Sequence, residues 1–348
     1  MNIFKKIKIK IRAQKRFLRE SKSNRIGSLW NNFHGFFAAT IDICGITKDN
    51  YKDFLSDRDY WLNHPYNGPY TSIIDNKLWL PFFLHEYKAY LPKYYLFKDE
   101  RGFLKLDIWD RKSSQYASIE EVVELIRENK KIAAKHTHSS GGNGFYCFEY
   151  KNHSFFINHK ECSESKLKTR IAKLNQYIFI EYIKQHDYSS QLNDSSLNTI
   201  RLLTYWDYRT KEFCIHSGFH RFGCNNSVVD NIGGGNAILS FIDVKTGKLT
   251  GCGEVKTDRD GDKYMENIIH PNSHIPLTGL NIPHFEEMSC VILEMCNRYS
   301  FMKYMGWDIA ITADSFKVVE INSMPSLDVV QQRSGFLLND GIKHVIKK

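Results

Sequence analysis

Two acidic side chains interrupt a pair of apolar strands near the C-terminal end of the chain, and this feature constrains the fold more than any other. The segment GWDIAITADSFKVVEIN, residues 306–322, has two hydrophobic runs around the polar stretch TADS, a pattern typical of a β-hairpin. A turn centred on Asp314 places Asp308 opposite Glu320. The two-residue period of a strand then puts Asn322 on the face that Glu320 occupies. Because like charges across a strand pair repel, a partner must neutralise the two acids.

The neutralising partner has two interpretations. Carboxylate and amide oxygens suit Mg²⁺, which commonly combines one or two protein carboxylates with phosphate oxygens of a substrate. The alternative is an ion pair between one acid and an arginine, such as Arg201 or Arg221. We favour the metal, because three oxygen-bearing side chains converge on one spot. The predicted ligands are Asp308, Glu320 and Asn322.

A glycine-rich segment between two strands predicts a loop that contacts an anion. The strand KIAAK ends at Lys135, SSGGNG follows at 139–144, and FYCFEY forms the next strand. Small residues let consecutive backbone N–H groups turn toward one point. The segment lacks the ending and the helix of a Walker A loop, so we interpret it as a flap over nucleotide phosphates, with an ordinary hairpin loop as the alternative. The predicted phosphate contacts are Lys135, Ser140, Gly141, Gly142 and Gly144.

Two further strands carry polar residues in apolar surroundings. In YIFIEYI, the backbone groups of Glu181, Tyr182 and Ile183 are predicted to present a hydrogen-bonding edge to a base, the alternative being a core strand with one exposed acid. In NTIRLL, Asn198 and Arg201 are predicted site residues. Arg221 follows on the next strand, ahead of VDN and GGG. The planar fork of an arginine suits phosphate and carboxylate groups, although surface arginines at sheet edges are the alternative.

The positive charge of the chain is concentrated at its N-terminal end. The net charge is +9, and residues 1–25 contain ten lysines and arginines against one glutamate, so the rest is neutral overall. A neutral body argues against nucleic-acid binding. Apolar residues recur at helical spacing in 1–25, which predicts a basic amphipathic helix. It would contact an anionic membrane surface peripherally, or pack one stripe on its own domain.

Two absences in the sequence predict a cytoplasmic protein. No apolar run approaches the ~20 residues of a membrane span, and no signal-peptide pattern begins the chain. The eight cysteines form no C-x-x-C pair, which is typical of reduced thiols.

Successive short strands from residue 131 onward indicate an α+β fold with mostly antiparallel sheets and flanking helices. Hairpin signals such as DVKTGKL join several of these strands. The three segments with the clearest helical pattern are SIEEVVELIRENKK, SESKLKTRIAKLN and PHFEEMSCVILEMCNRYSFM.

The order of these features resembles the ATP-grasp fold: a lysine before a glycine-rich flap, an apolar strand with a glutamate, a basic sheet, and a final Asp…Glu-x-Asn hairpin. The motifs NTIR, VDN…GGG and GWDIAIT…VVEIN are similar to the sugar-transfer-associated ATP-grasp proteins, also described as glutamate-ligase-related, over about residues 75–335. The resemblance implies Mg²⁺ at the acidic hairpin, ATP phosphates at Lys135, adenine at Glu181 to Ile183, and a transferred phosphate at Arg201. The second lysine that most ATP-grasp enzymes use has only Lys93 and Lys98 as candidates.

The resemblance also implies a division of the chain. Its parts are a basic helix (1–25), an N-terminal substrate or lid region (26–125), a small subdomain with flap and hinge (126–185), and a large subdomain with the acidic hairpin (186–348).

The activity implied by the resemblance is ATP- and Mg²⁺-dependent ligation of a carboxylate to an amine through an acyl phosphate, with release of ADP and phosphate. Arg201, Arg221 and Lys135 are the expected catalytic residues. The expected partners are a small-molecule or glycan carboxylate and an amine, such as a uronic-acid sugar and an amino acid in surface-polysaccharide biosynthesis. Two alternatives stay open: an ATP-grasp kinase acting on a sugar or other small molecule, and a membrane-associated scaffold with a non-catalytic nucleotide site.

Overall fold

The computed structural model describes residues 11, 29–106, 116–139, 141–231, 237–252, 255–257, 263–265, 269–332 and 335–346. The predicted basic helix over residues 1–25 lies, but for Ile11, outside the described residues. In the described part of the chain, no helix combines the length and the hydrophobicity that a membrane crossing requires.

The N-terminal region folds into short helices because caps and prolines interrupt it at close intervals. Gly45 ends one helix in a left-handed conformation, Ser56 caps the next by accepting a hydrogen bond from Asp59 N, and Pro81 stands in the first turn of another. The α-helices are α1 (Leu29–His34), α2 (Ala38–Cys44), α3 (Asp57–Asn63), α4 (Thr71–Ile74) and α5 (Leu80–Phe83). Short 3₁₀ segments lie at Tyr51–Asp53, Gly68–Tyr70 and His85–Tyr90, the last with a kink at Tyr87.

Eight antiparallel strands form the first sheet. They are β1 (Tyr94–Asp99), β2 (Gly102–Lys105), β3 (Tyr116–Ala117), β4 (Lys131–His136), β5 (Tyr146–Lys151), β6 (Ser154–Ile157), β7 (Lys160–Cys162) and β8 (Tyr177–Glu181). Their spatial order is β3-β2-β1-β8-β4-β5-β6-β7. The sheet includes β1–β3, so it begins before the predicted subdomain boundary at residue 126. The hairpin of β1 and β2 escaped the sequence analysis.

Two predicted helices cover one face of this sheet. Helix α6 (Ile119–Asn129) has a capping box between Ser118 and Glu121, and α7 (Glu164–Ala172) is capped by Ser163. Their buried aliphatic side chains pack in one cluster with the inward residues of β4, β5 and β8. The predicted helices and the strands around them are therefore confirmed.

Six antiparallel strands form the second sheet. They are β9 (Ile200–Asp207), β10 (Glu212–Gly223), β11 (Ala237–Asp243), β12 (Lys248–Cys252), β15 (Tyr304–Ile311) and β16 (Phe316–Asn322). Their order is β12-β11-β10-β9-β15-β16, and β13 (Val255–Thr257) pairs separately with β14 (Lys263–Met265). The remaining helices are α8 (Asp187–Ser190), α9 (Phe285–Arg298), α10 (Leu327–Val330) and α11 (Asp340–Ile346), with a 3₁₀ turn at Phe336–Leu338.

Helix α9 covers one face of the second sheet through Met288, Ile292 and Met295, which cluster with Trp307 and Phe316. Helix α11 and the N-terminal helices bury the opposite face. The α+β class with two mostly antiparallel sheets and flanking helices is thus confirmed.

A β-bulge shapes the C-terminal hairpin. Asp308 pairs with Glu320 as predicted, but one residue further Ile309 pairs with Val318, which leaves Val319 as an extra residue. In a regular strand Glu320 would share the core-facing side of Phe316 and Val318. The extra residue reverses that alternation, so Glu320 faces away from the core. The predicted pairing is therefore correct at Asp308, and it is shifted by one residue near the turn.

Burial of Asp57 in helix α3 generates a prediction about stability. Its carboxylate accepts hydrogen bonds from Phe37 N at 2.8 Å and Thr40 Oγ1 at 2.9 Å, which joins α3 to α2. Burial, partly opposed by these hydrogen bonds, raises the pKa of Asp57 to about 6 from an ordinary value of 3.8.

The folded state therefore favours protonated Asp57, and this contribution to stability is complete below the ordinary pKa and disappears as the pH rises through about 6. We expect the free energy of unfolding of the wild type, relative to Asp57→Asn, to rise by up to about 3 kcal/mol between pH 7 and pH 4, measured by urea denaturation. Asp59→Asn, in the same helix with a half-exposed carboxylate, is the matched control. A pH-independent difference between wild type and Asp57→Asn would contradict the assignment.

Candidate functional site

One cleft between the two sheets contains most of the residues that the sequence singled out. The cleft is open to solvent on one side, and its space together with the adjoining solvent amounts to about 980 Å³. The predicted residues that line it are Lys135, Gly141, Gly142, Glu181, Tyr182, Ile183, Arg201, Arg221, Asp308, Glu320 and Asn322.

Glu320 has a lysine partner that the sequence analysis did not find. Lys77 Nζ lies 3.3 Å from Glu320 Oε1, and the side chain of Lys77 is only 7% exposed. The same ammonium group donates to the carbonyl oxygen of Ser139, at the start of the flap. Lys77 thus bridges the acidic hairpin and the flap, although it belongs to neither sheet.

The position of Lys77 is set by the segment between α4 and α5. Its backbone N–H donates to Thr137 O at 3.1 Å, which ties the segment to the first sheet. Two residues earlier, Asp75 accepts hydrogen bonds from Ser323 N at 2.9 Å and Ser323 Oγ at 2.7 Å, which ties it to the end of β16. The segment therefore holds Lys77 between the two sheets.

Asp308 is held by two arginines. Arg201 contacts it with both Nε and Nη2, the latter 2.8 Å from Oδ2, and Arg221 Nη2 lies 3.2 Å from Oδ1. Burial by itself would raise the pKa of Asp308, but the two guanidinium groups outweigh it and hold that pKa well below its usual range. In the structure, Asp308 is therefore neutralised by arginines, as in the ion-pair alternative considered from the sequence.

The donor set nevertheless fits a magnesium ion. Asp308 and Glu320 lie directly opposite each other, and Asn322 Nδ2 is 3.4 Å from Asp308 Oδ2, so two carboxylates and an amide oxygen share one face. Among the described residues, no group of three or more His, Cys, Asp or Glu side chains is placed to hold a metal ion. Two carboxylates with phosphate oxygens are a typical Mg²⁺ environment.

Lys135 extends into the cleft from the end of β4 and is partly exposed there. Burial lowers its pKa, and the nearby Glu320 carboxylate only partly opposes this effect. Within the described part of the chain, no carboxylate lies within ion-pair distance of Lys135, so its ammonium group is available to an anion in the cleft.

The glycine-rich flap lies against the loop that follows β10. Asn231 Nδ2 donates to Gly141 O at 2.6 Å, and a Cβ atom on Gly142 would lie 3.1 Å from Val229. Gly141 and Gly142 both have positive φ angles, +67° and +74°, which favour glycine. Gly144 lies at the base of the flap against Tyr177, outside the cleft lining, and Ser140 lies outside the described residues.

Strand β8 and the two residues after it, the predicted adenine contact, border an apolar slot. One of the predicted hydrogen-bonding groups, the N–H of Glu181, already has a partner. Glu181 N donates to Lys93 O at 2.8 Å, and its carboxylate accepts from Lys93 N at 2.9 Å. A base in the slot would therefore meet the backbone of Tyr182 and Ile183, while the N–H of Glu181 is occupied. The apolar walls are Ala133, Ile180, Ile183, Leu197 and Val319.

Three sequence predictions need correction. Asn198 does not face the cleft: its fully buried side chain donates to Ser189 O and Asn193 O and accepts from Gly223 N, so it connects loops. The ammonium group of Lys93 lies over the ring of Tyr95 outside the cleft lining, and that of Lys98 donates to Asp99 O. Neither supplies the second lysine.

Thr199 and Asp230 also line the cleft, and the sequence analysis did not assign them to the site. Asp230 accepts a hydrogen bond from Thr199 N at 2.8 Å and lies 3.5 Å from Arg221 Nε. The local signals were the NTIR motif for Thr199 and the VDN motif for Asp230, and neither shows anything about burial. Lys77 had no signal beyond its place before an aromatic stretch.

A model of the family described as sugar-transfer associated ATP-grasp matches residues 58–347, so the chain belongs to this family. No curated protein matches the chain.

Solved structures with a similar fold include three ligases, all at low identity. The D-alanine–D-alanine ligase from Helicobacter pylori is 11% identical, with a TM-score of 0.43, over 79% of this chain and 61% of that one. The corresponding enzyme from Bacillus anthracis is 9% identical, with a TM-score of 0.40, over 79% and 66%. The ATP-grasp ligase PsnB, complexed with a minimal precursor, is 13% identical, with a TM-score of 0.40, over 81% and 63%. The chain thus spans less than two thirds of these proteins, and such distant similarity carries no information on substrates.

The pairing of Asp308 with two arginines generates a prediction about stability. In Asp308→Asn, the nearly buried guanidinium group of Arg201 loses the carboxylate it contacts and that of Arg221 retains Asp230, so we expect a loss of about 3–5 kcal/mol in the free energy of unfolding by urea denaturation. Glu86→Gln, which breaks the exposed pair with Arg298, should cost at most about 1 kcal/mol. Equal losses in the two variants would contradict the described charge balance.

Proposed function

We propose that this member of the sugar-transfer associated ATP-grasp family is an ATP- and Mg²⁺-dependent carboxylate–amine ligase. The observation that carries the proposal is the composition of the cleft. Two lysines and two arginines surround three oxygen donors, beside an apolar slot and under a glycine-rich flap. Such a site suits a polyanion with a flat apolar group at one end, which describes a nucleoside triphosphate.

The parts of the cleft suggest an orientation for ATP. The base would enter the slot against Ile183 and Val319, and the phosphates would extend under Gly141 and Gly142. Lys135 would contact phosphate oxygens from the first sheet, since its ammonium group is available. Lys77 takes the role of the second ATP-binding lysine that neither Lys93 nor Lys98 can fill.

Asp308, Glu320 and Asn322 would hold Mg²⁺, which supplies charge neutralisation of the phosphates when bound. In the structure, the two carboxylates are paired with Lys77, Arg201 and Arg221. These cations would turn toward the phosphates of a bound nucleotide, and the carboxylate lone pairs would then be available to the metal.

The chemistry we propose needs no protein nucleophile. A carboxylate oxygen of the substrate attacks the γ-phosphorus of ATP, ADP departs, and an acyl phosphate results. Arg201, Arg221 and Lys135 offset the negative charge that develops on the transferred phosphoryl group. An amine nitrogen then attacks the carbonyl carbon of the acyl phosphate, the C–O bond to phosphate breaks, and an amide forms.

The substrates we propose are a uronic-acid-containing sugar and an amino acid or other amine, in surface-polysaccharide biosynthesis. The support is the sugar-transfer association in the description of the family. The nine excess positive charges of residues 1–25 would serve peripheral contact with an anionic membrane at its cytoplasmic face, where lipid-linked glycans would be reached.

The product of ATP cleavage tests the reaction. We expect incubation with Mg²⁺, ATP, a uronic acid and an amine to release ADP, with a requirement for both co-substrates. With an ¹⁸O-labelled carboxylate, one label should appear in the released phosphate, because the acyl phosphate bridges through that oxygen. ADP release with a sugar alone and no label in phosphate would indicate a kinase, and AMP would exclude the proposed mechanism.

The role of Lys77 is tested by nucleotide affinity. Lys77→Met and Lys135→Met each remove one charged donor to phosphate, so we expect the Kd of Mg²⁺-ATP, by titration calorimetry, to rise about 10- to 100-fold. Lys98→Met is the matched control, because Lys98 binds Asp99 O outside the cleft, and its Kd should stay within about threefold of wild type. An unchanged Kd in Lys77→Met would contradict its role.

A further inference from the structure

Asp230 is a carboxylate in the cleft that neither the metal site nor the nucleotide site uses. It lies on the loop after β10, and its side chain is 15% exposed, toward the cleft. One oxygen, Oδ2, accepts hydrogen bonds from Thr199 N at 2.8 Å and from Thr199 Oγ1. The same oxygen lies 3.5 Å from Arg221 Nε. The carboxylate is therefore fixed through Oδ2, and the structure records no hydrogen bond to its Oδ1 from the described residues.

Charged groups from three strands surround Asp230. Arg221 on β10 lowers its pKa, Asp308 on β15 raises it, and Lys135 on β4 lies close enough to interact with it electrostatically. Burial is the largest influence, and the pKa of Asp230 is raised from its ordinary value. Compared with an exposed aspartate, Asp230 is thus a stronger base inside a site where charges are otherwise balanced.

The proposed reaction requires a group that binds and deprotonates the amine substrate, and none of the residues assigned to the metal or to ATP does this. Amino acids and most aliphatic amines carry an ammonium group at neutral pH, and an ammonium nitrogen has no lone pair with which to attack. A ligase of this kind needs an anionic group that binds the ammonium and accepts a proton near the reacting carbonyl. The arginine that contacts Asp230 also contacts Asp308, so Asp230 borders the phosphoryl-transfer centre.

We propose that Asp230 binds the ammonium group of the amine substrate and acts as its general base, an inference that rests on the proposed ligase function. Thr199 is the residue that positions it, through two hydrogen bonds to Oδ2.

One ammonium proton moves to Asp230, and the nitrogen lone pair forms the C–N bond with the carbonyl carbon of the acyl phosphate. The C–O bond breaks, its electron pair leaves with phosphate, and the second nitrogen proton departs with it as hydrogen phosphate. Asp230 loses its proton to solvent after product release.

Hydroxylamine separates this role from the first half of the reaction, because it is largely unprotonated at neutral pH and traps acyl phosphates as hydroxamates. We expect Asp230→Asn to form hydroxamate, with ADP release, at a rate within about threefold of wild type. Amide formation with an aliphatic amine should fall about 10²- to 10⁴-fold. Asp194→Asn, an exposed acid on a neighbouring loop, is the matched control and should change neither rate.

A second variant adds a readout that a structural role would not change. In Asp230→Ala, added formate should restore part of the amide formation by supplying an external carboxylate. In wild type the acidic limb of the pH–rate profile for amide formation should report protonation of Asp230, whereas in Asp230→Asn the rate should instead follow the unprotonated fraction of the amine. The midpoint of urea unfolding of each variant establishes that it is folded.

The outcomes distinguish the two proposals. Wild type that forms no hydroxamate with any carboxylate tested contradicts the ligase function itself, and the inference about Asp230 with it. If wild type forms hydroxamate, equal loss of hydroxamate and amide in folded Asp230→Asn overturns the base role, since the residue would then serve carboxylate activation. Unchanged rates of both hydroxamate and amide formation in Asp230→Asn would also overturn the base role.

Discussion

The structure depends on the balance of charge around the C-terminal hairpin. Asp308 and Glu320 face each other across two adjacent strands, an arrangement that is repulsive without cations. Arg201 reaches Asp308 from the adjacent strand β9, Arg221 reaches it from β10 on the far side of β9, and Lys77 reaches Glu320 from the N-terminal region. Three separate parts of the chain therefore neutralise the buried Asp308 and the half-buried Glu320. The same groups that stabilise the carboxylates are those that a phosphate ligand would engage.

The β-bulge at Val319 makes this balance compatible with a packed core. Phe316 and Val318 face the hydrophobic cluster beneath α9, and strict alternation would carry Glu320 into that cluster as well. The extra residue turns Val319 and Glu320 to the cleft together. One of them contributes to the apolar slot and the other to the acidic site. A single irregularity thus joins the two halves of the proposed nucleotide site.

The segment between α4 and α5 connects the two sheets. Asp75 binds the residue that follows Asn322, and Lys77 binds both the flap and Glu320. The flap itself contacts the loop that carries Asp230, through Asn231 and Gly141. The flap thus contacts both the residue that pairs with the acidic hairpin and the loop of the proposed base.

Local patterns were sufficient for much of the fold and part of the site. The two-residue period and the polar turn predicted the pairing of Asp308 with Glu320, and the small residues after Lys135 predicted the flap, because both depend on neighbours in sequence. The same reasoning was wrong for Asn198, whose polarity is used to join buried loops. Polarity within an apolar strand indicates a buried partner, but it does not reveal whether that partner is a ligand or the backbone.

What the sequence by itself determined is the strands from residue 131 onward, three of the helices, the acidic hairpin and the membership of the ATP-grasp fold. Tertiary structure decided which cations meet these acids: Lys77 lies 243 positions before Glu320 in the chain, and Arg201 lies 107 before Asp308. The physical reason is that hydrogen bonding within a hairpin follows from residue spacing, whereas contacts between sheets depend on how their faces pack. Burial, which raises the proton affinity of Asp230 and lowers that of Lys135, exists only after that packing is complete.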